Sequence, residues 1–232
     1  MLHRKIVLPV ALMAFVLLAS PAPSRAEGLI NSLPDDGSWV LLKAKSELDF
    51  QGNLQTIDRE LKISSVGKQE VEGRPARWIE VNTEFFGQKI LAKFLIEEKY
   101  FKPDQDPFEH IAKGVARGPN GEVADIPDNQ LRRLMVFVLG VPHFAKPEKQ
   151  EKEKVKTDLG EFECAHVKGE TEVDGPMDAK LKMSGEIWTN DKVPFGLVKA
   201  KIKGDLGLGS IETDLQAVKS GKDAKSEIQE AK

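Results

Sequence analysis

The residues able to do chemistry are few in this chain. Cys164 and His166 fall two apart in a segment that reads as a strand, so both side chains project to one face and a thiolate–imidazole pair is one reading. The simpler reading is a buried cysteine acting as a small hydrophobe beside a histidine at the end of a sheet, with Phe162 on the same face. Asp104, Asp106, Glu109 and His110 gather oxygen and imidazole ligands into seven residues, as a metal site would. The same stretch spells a helix start, with Asp106 as N-cap, Pro107 at the first helical position and Glu109 three residues after the cap. No second ligand pair at suitable spacing follows. Gly204, Gly207 and Gly209 are not spaced as Gly-x-Gly-x-x-Gly, no lysine follows in the P-loop position, and a strand comes next, so a hairpin turn is expected there. Neither a Gly-x-Ser-x-Gly elbow nor a His-Glu-x-x-His pair occurs. The pattern therefore predicts no catalytic constellation, no metal and no cofactor. An enzyme would need a polar pocket assembled from distant residues such as Arg77, Glu80 and His166.

Composition sets the compartment. The 232 residues include 34 Lys and Arg, 37 Asp and Glu, a single cysteine and 40% apolar residues, enough to fill a core and incompatible with wholesale disorder. Arg4 and Lys5 precede an apolar run from Ile6 to Ala19, and Ser24 and Ala26 occupy the −3 and −1 positions of a cleavage site. Residues 1–26 read as a secretory signal peptide cleaved after Ala26. The apolar run is too short to span roughly 30 Å of hydrocarbon and is interrupted by Pro9. The expected mature chain carries 31 basic and 37 acidic side chains, a net charge of −6. With no basic cluster it lacks the electrostatic footprint of a nucleic-acid binder. A periplasmic or secreted location follows, with no transmembrane segment after cleavage. One cysteine permits no intrachain disulfide, so stability must come from packing.

The elements that must position these residues are mostly strands. Val40, Leu42, Ala44, Leu48 and Phe50 share one parity from Trp39 to Phe50, and Gln51-Gly52-Asn53 supplies a turn. From Gln55 to Val66, Ile57, Leu61 and Ile63 alternate with charged or polar residues; from Ala76 to Phe86, Ile79, Val81 and Phe85 oppose Glu80, Asn82 and Glu84. The run Ile90, Ala92, Phe94 and Ile96 continues the pattern, while Leu91 and Leu95 make that strand apolar on both sides. Loops this short join antiparallel neighbours. Strands resume over 154–157, 161–172, 177–189, 195–204 and 210–219 after a mixed-charge connector, residues 145–156.

Residues 103–147 read as a helical insert: a short helix from Pro107 to about Ala116, and a second from Asn129 to Leu139 stopped by Gly140 and Pro142. The second is apolar on nearly every side and must be enclosed. Residues 220–232 are polar and read as a disordered tail. The expectation is one β-rich domain over residues 27–219, a large curved antiparallel sheet or half-barrel wrapped around one or two helices.

This order of strands, helical insert and strands after a secretory signal resembles the half-barrel fold of the periplasmic lipoprotein-carrier family of localisation factors, over most of residues 38–219. The segments Leu33-Pro34-Asp35-Asp36-Gly37-Ser38-Trp39, Arg77-Trp78-Ile79-Glu80 and Val193-Pro194-Phe195-Gly196-Leu197-Val198 also resemble uncharacterised secreted bacterial proteins. The resemblance implies helices lining a curved sheet with acyl chains bound between them. Strand parity and helix content nominate Ile79, Val81, Phe85, Phe94, Ile96, Leu134, Phe137, Ile187 and Val198 as lining residues for a lipid or acyl chain held by a non-enzymatic protein. The alternative is an envelope scaffold with a solid core that contacts a protein partner through an exposed patch around Trp78 and Trp188.

Overall fold

The computed structural model describes residues 28–85, 87–102, 105–118, 120–127, 140–144, 146–174, 180–205, 207 and 209–228. They form twelve strands: β1 (Trp39–Phe50), β2 (Asn53–Val71), β3 (Arg74–Phe85), β4 (Gln88–Glu97), β5 (Ile111–Arg117), β6 (Val123–Asp125), β7 (Glu148–Lys149), β8 (Glu153–Thr157), β9 (Gly160–Asp174), β10 (Lys180–Thr189), β11 (Leu197–Asp205) and β12 (Gly209–Gly221). All pair antiparallel in one sheet of order β6-β5-β4-β3-β2-β1-β12-β11-β10-β9-β7, with β8 also on β9. The sheet is curved and not closed into a barrel, a half-barrel as the alternation predicts. Two of its hairpins turn on two residues with positive φ, Gln51-Gly52 (53° and 83°) and Glu72-Gly73 (51° and 74°). That geometry matches the right-handed twist of the flanking strands.

Register follows parity. On the inner face Leu42 faces Leu61 of β2 and Ala217 of β12, Val40 faces Ile63, Ala200 faces Leu215, and Ile187 faces Val167. These residues are buried in a single apolar cluster. Each fully buried aliphatic side chain contributes about 1.5–3 kcal/mol, so the inner face is the main source of stability.

The insert differs from expectation. The capping signal is real, since the Asp106 carboxylate accepts from the Phe108 amide at 3.0 Å, but only a 3-10 turn follows, Pro107–His110, and the chain then extends into β5. Ile111 and Val115 are β-branched and Gly114 disfavours helix. The deciding factor is tertiary. β4 is buried on both faces, and as a sheet edge it would present a row of unpaired backbone groups there, so it takes β5 as its neighbour. No α-helix occurs among the described residues. The second expected helix, Asn129–Leu139, lies outside them, and so do Leu134 and Phe137.

Among the described residues, irregular segments cover the inner face. Leu29 and Ile30 come from the leader, Phe101 and Phe108 from the stretch after β4, Val141 and Phe144 from the end of the insert, and Val193 and Phe195 from the β10–β11 loop. Phe144 lies flat on the backbone of β9, where a Cβ at Gly169 would stand 2.5 Å from its ring Cγ.

The outer face has a smaller apolar cluster of its own, Ala76, Trp78, Leu91, Leu95 and Val115, and its lid is Ile228. Residues 222–228, read from composition as a frayed tail, are ordered across this face. The Ala224 amide donates to the Gly37 carbonyl at 2.9 Å and the Trp39 indole to Asp223 at 2.7 Å. Polar composition does not force fraying where the backbone groups find partners.

Two substitutions test the inner covering. Phe144→Ala should cost about 3–5 kcal/mol in urea unfolding, and Gly169→Ala, which drives a methyl into the same ring, about 1–3 kcal/mol. Val123→Ala at an exposed edge position should stay within about 0.5 kcal/mol.

Candidate functional site

The inner face divides into a filled half and an open end. Ile79, Val81, Phe94, Ile96, Ile187 and Val198, the strand residues nominated by parity, all lie on this face and are fully buried. Their neighbours are the chain's own residues; Phe94, for example, meets Phe108 edge to face at 6.2 Å. Phe85 ends β3 opposite Gln88. The leader is held down by Arg77, whose guanidinium donates to the Pro34 carbonyl at 3.1 Å, the Ser65 hydroxyl at 2.8 Å and Glu98 at 2.8 Å. Asp36 accepts from the Gly67 amide at 2.7 Å in the bulge of β2. Arg77 thus acts as a structural clamp.

Towards the other end the same parity continues through Leu48, Ile57, Ile90 and Ile211, which are only half-buried, and Phe50, which is 52% exposed. Here the sheet also parts. β2 and β3 pair from Leu61–Thr83 upward, where the Thr83 hydroxyl donates to the Glu60 carbonyl at 2.7 Å. Below that point Asn53–Glu60 of β2 pair with β1. The splay opens into a trough of about 1310 Å³ with Thr56, Asp58 and Arg59 on one bank and Thr83, Glu84 and Lys89 on the other. It extends over the outer face of β1, β12 and β11 to Lys43, Asp214 and Lys201.

Arg59 stands where the two features meet. It shares the parity of Leu61 and Ile57, so its stem points inward, and it is buried enough that desolvation lowers its pKa. Gly140, at φ 64°, passes so close that a Cβ there would lie 2.5 Å from the guanidinium. Sequence reading missed Arg59; the signal was a cation at an apolar position of an otherwise alternating strand.

The other clusters resolve differently. Cys164 is buried, and its thiol donates to the Phe162 carbonyl at 3.7 Å. Burial, helped by the charge of Glu153, pushes its pKa up to about 11, so it is no nucleophile at neutral pH. His166 instead stacks on Trp188 with ring centroids 4.4 Å apart, its Nε2 lies 2.9 Å from Glu186 and its Nδ1 3.6 Å from Glu153. Burial works to raise the Glu186 carboxyl, but bonds from Lys168 and His166 outweigh it and hold the group below its ordinary range. Trp188 gives its indole N–H to Glu153 at 2.8 Å, and Trp78 gives its own to Gln69 at 2.9 Å. Both tryptophans are buried, so the exposed aromatic patch expected from their parity does not form. Lys199 and His166 cover the Trp188 ring, and Lys93 and the Ile228 cluster cover that of Trp78.

Asp106 is engaged in its cap and His110 stacks on Tyr100 at 3.7 Å. Among the described residues no group of three or more His, Cys, Asp and Glu side chains converges. Arg77 and Glu80 point to opposite faces of β3, and His166 is on β9, so the three residues a dispersed polar pocket would use are not brought together.

No family model matches the chain, and no curated protein matches it. Among solved structures, a candidate exported protein with a YmcC-like fold from Bacteroides fragilis is 11% identical, covering 84% of this chain and 100% of its own at a TM-score of 0.40. A candidate lipoprotein from Parabacteroides distasonis is 13% identical over 83% of this chain and 99% of its own, TM-score 0.41. A DUF1329 family protein from Desulfovibrio piger is 10% identical over 81% and 86%, TM-score 0.28. These values describe a loose likeness.

The raised pKa of Cys164 has a signed consequence. The folded state favours the neutral thiol, so its contribution is complete below the unfolded value of 9.0 and is lost as pH rises from 9 towards 11. Native protein at pH 8 should be inert to a thiol-reactive disulfide reagent and should react fully in urea. Cys164→Ala should remove the part of the alkaline stability loss that falls in that window.

Proposed function

We propose that this is an exported, non-enzymatic protein that holds an apolar or amphipathic molecule, a lipid or a lipoprotein acyl chain, at the open end of its inner face. One observation carries the reading: the apolar stripe of the sheet runs past the described segments that cover it and continues as half-buried Leu48, Ile57, Ile90 and Ile211, of which Ile57 also lines the trough. An incompletely covered apolar stripe on a curved sheet is the kind of surface that takes a ligand. The ligand lies further along the sheet than strand parity alone suggests, because the chain fills the half around Ile79, Phe94 and Ile187 with its own side chains. Export is supported by the charged start, short apolar run and small-residue cleavage site of residues 1–26. The scaffold alternative loses its intended contact, since Trp78 and Trp188 are buried.

Binding of this kind scales with buried hydrocarbon. Each methylene contributes about 0.8 kcal/mol, roughly fourfold in affinity. Protein purified from its native envelope should release extractable lipid to mass spectrometry. A series of fatty acids should displace a bound apolar dye with affinity rising by up to about fourfold per methylene until the open end is filled. Leu48→Arg should weaken dye binding at least tenfold with an unchanged melting temperature. Absence of lipid together with no dye binding would rule the carrier out.

A further inference from the structure

The opposite face of the sheet holds a second cluster of buried polar groups. Glu80 in the middle of β3 is only 4% exposed, and its carboxylate accepts from the Glu227 amide at 3.1 Å, the Ile228 amide at 3.2 Å and the Ser226 hydroxyl at 2.8 Å. Lys93, directly across the ladder on β4 and 7% exposed, donates to the Ile228 carbonyl at 3.2 Å. Arg117 of β5 donates to the Glu227 carbonyl. The Ile228 side chain closes the cluster of Ala76, Trp78, Leu91, Leu95 and Val115. Asn82 and Lys89 reach the Glu227 carboxylate at 3.0 and 3.4 Å.

Burying a carboxylate and an ammonium on an outer sheet face is costly unless each gains a well-placed partner. Here the anion faces two consecutive main-chain N–H groups and the cation faces a main-chain carbonyl. That is a device for reading a peptide backbone, with a hydroxyl donor, an acidic side chain and an apolar side chain read beside it at Ser226, Glu227 and Ile228.

We propose that the outer face of β3, β4 and β5 is a peptide-binding site whose resident occupant is the chain's own Ser226–Ile228, and that it accepts an extended Ser-acidic-aliphatic segment of another protein when this strap lifts. The occupant is exchangeable because any extended segment reproduces the main-chain part of the recognition, and any segment of that pattern the side-chain part. Between Gly221 and Ser226 the strap is tied by the Ala224 amide and by exposed side-chain contacts of Lys222 and Asp223, so release is opposed chiefly by the contacts of Ser226–Ile228 themselves, which a competing segment of the same pattern would replace. Tethering gives the resident strap a high effective concentration, so a competitor meets an occupied site in the wild type.

The test uses the full chain and a fluorescent peptide with the sequence of residues 222–232. Full-length Ile228→Asp, whose own strap no longer fits the apolar pocket, should bind the peptide at least tenfold more tightly than wild type by anisotropy, and adding Glu80→Gln should weaken that binding at least tenfold. A folded Ile228→Asp that binds no peptide, or binding indifferent to Glu80→Gln, overturns the proposal. Hydrogen exchange on the wild type decides independently should Ile228→Asp fail to fold. The amides of Glu227 and Ile228 should exchange by local opening, at least tenfold faster than those of β1 and β2. Exchange of those two amides only together with the core would make the strap a permanent part of the fold and would also overturn it.

Discussion

The rest of this structure depends on the need to cover the inner face of a very wide antiparallel sheet. Alternation along β1–β4 and β9–β12 gathers Val40, Leu42, Leu61, Ile63, Ile79, Phe94, Ile187 and Leu215 onto one side, and a sheet not closed into a barrel cannot bury that side against itself. Covering segments are therefore recruited from several places: the leader, the stretch after β4, the end of the insert and the β10–β11 loop. Each brings one or two large apolar side chains and little regular structure. Their backbone groups still need partners, which explains features that look incidental. Arg77 is buried to satisfy the leader, the bulge of β2 offers the Gly67 amide to Asp36, and Asn31 donates to the Phe195 carbonyl at 2.8 Å so that two covering segments hold each other.

A second constraint comes from β3 and β4, which are buried on both faces. A strand in that position cannot carry solvated charges in its middle, yet Glu80 and Lys93 sit there, opposite each other in register. The pair is tolerated because every group that desolvation would penalise is given to a main-chain partner or, for Lys93, also to the Trp78 face. The C-terminal strap is thus the completion of a polar network as well as a lid over apolar side chains.

Much of this was legible. Period-two alternation located the long strands closely: β1 begins and ends where the pattern of Trp39–Phe50 places it, and the two-sided apolarity of Leu91 and Leu95 already required neighbours on both faces of β4. Three steps that used a local signal to decide a tertiary question failed. The Asp106-Pro107 cap correctly starts a helical turn, but one cap is worth about 1 kcal/mol, less than pairing a bare strand edge, so Ile111–Arg117 goes to the sheet. Trp78 and Trp188 were assigned the right parity and the wrong environment, because lysines on the adjacent strands, His166 and the C-terminal strap cover their rings. The tail failed because composition reports the average solvation of a segment and carries no information about a carboxylate waiting on another strand. The candidate site was legible as a face and not as a place on that face. Which half is filled depends on chain paths from the leader and the insert, and those have no periodicity.

The two faces meet at one point, the parting of β2 from β3. β3 presents Val81 and Thr83 inward and Glu80 and Asn82 outward, and β4 presents Lys89 beside them. Asn82 and Lys89 line the trough at the splay and also bind the Glu227 carboxylate, so the docked strap fixes the β3–β4 bank of the opening from outside. On the opposite bank, among the described strands, β2 pairs below Leu61 with β1, and Arg59 projects from it towards the inner face. The β3–β4 wall of the opening is braced from outside by five residues that bind the strap, Glu80, Lys93, Arg117, Asn82 and Lys89. Both faces are thus built on the same two strands: Thr83, whose hydroxyl holds the Glu60 carbonyl at the parting, is the chain neighbour of Asn82, which holds the strap.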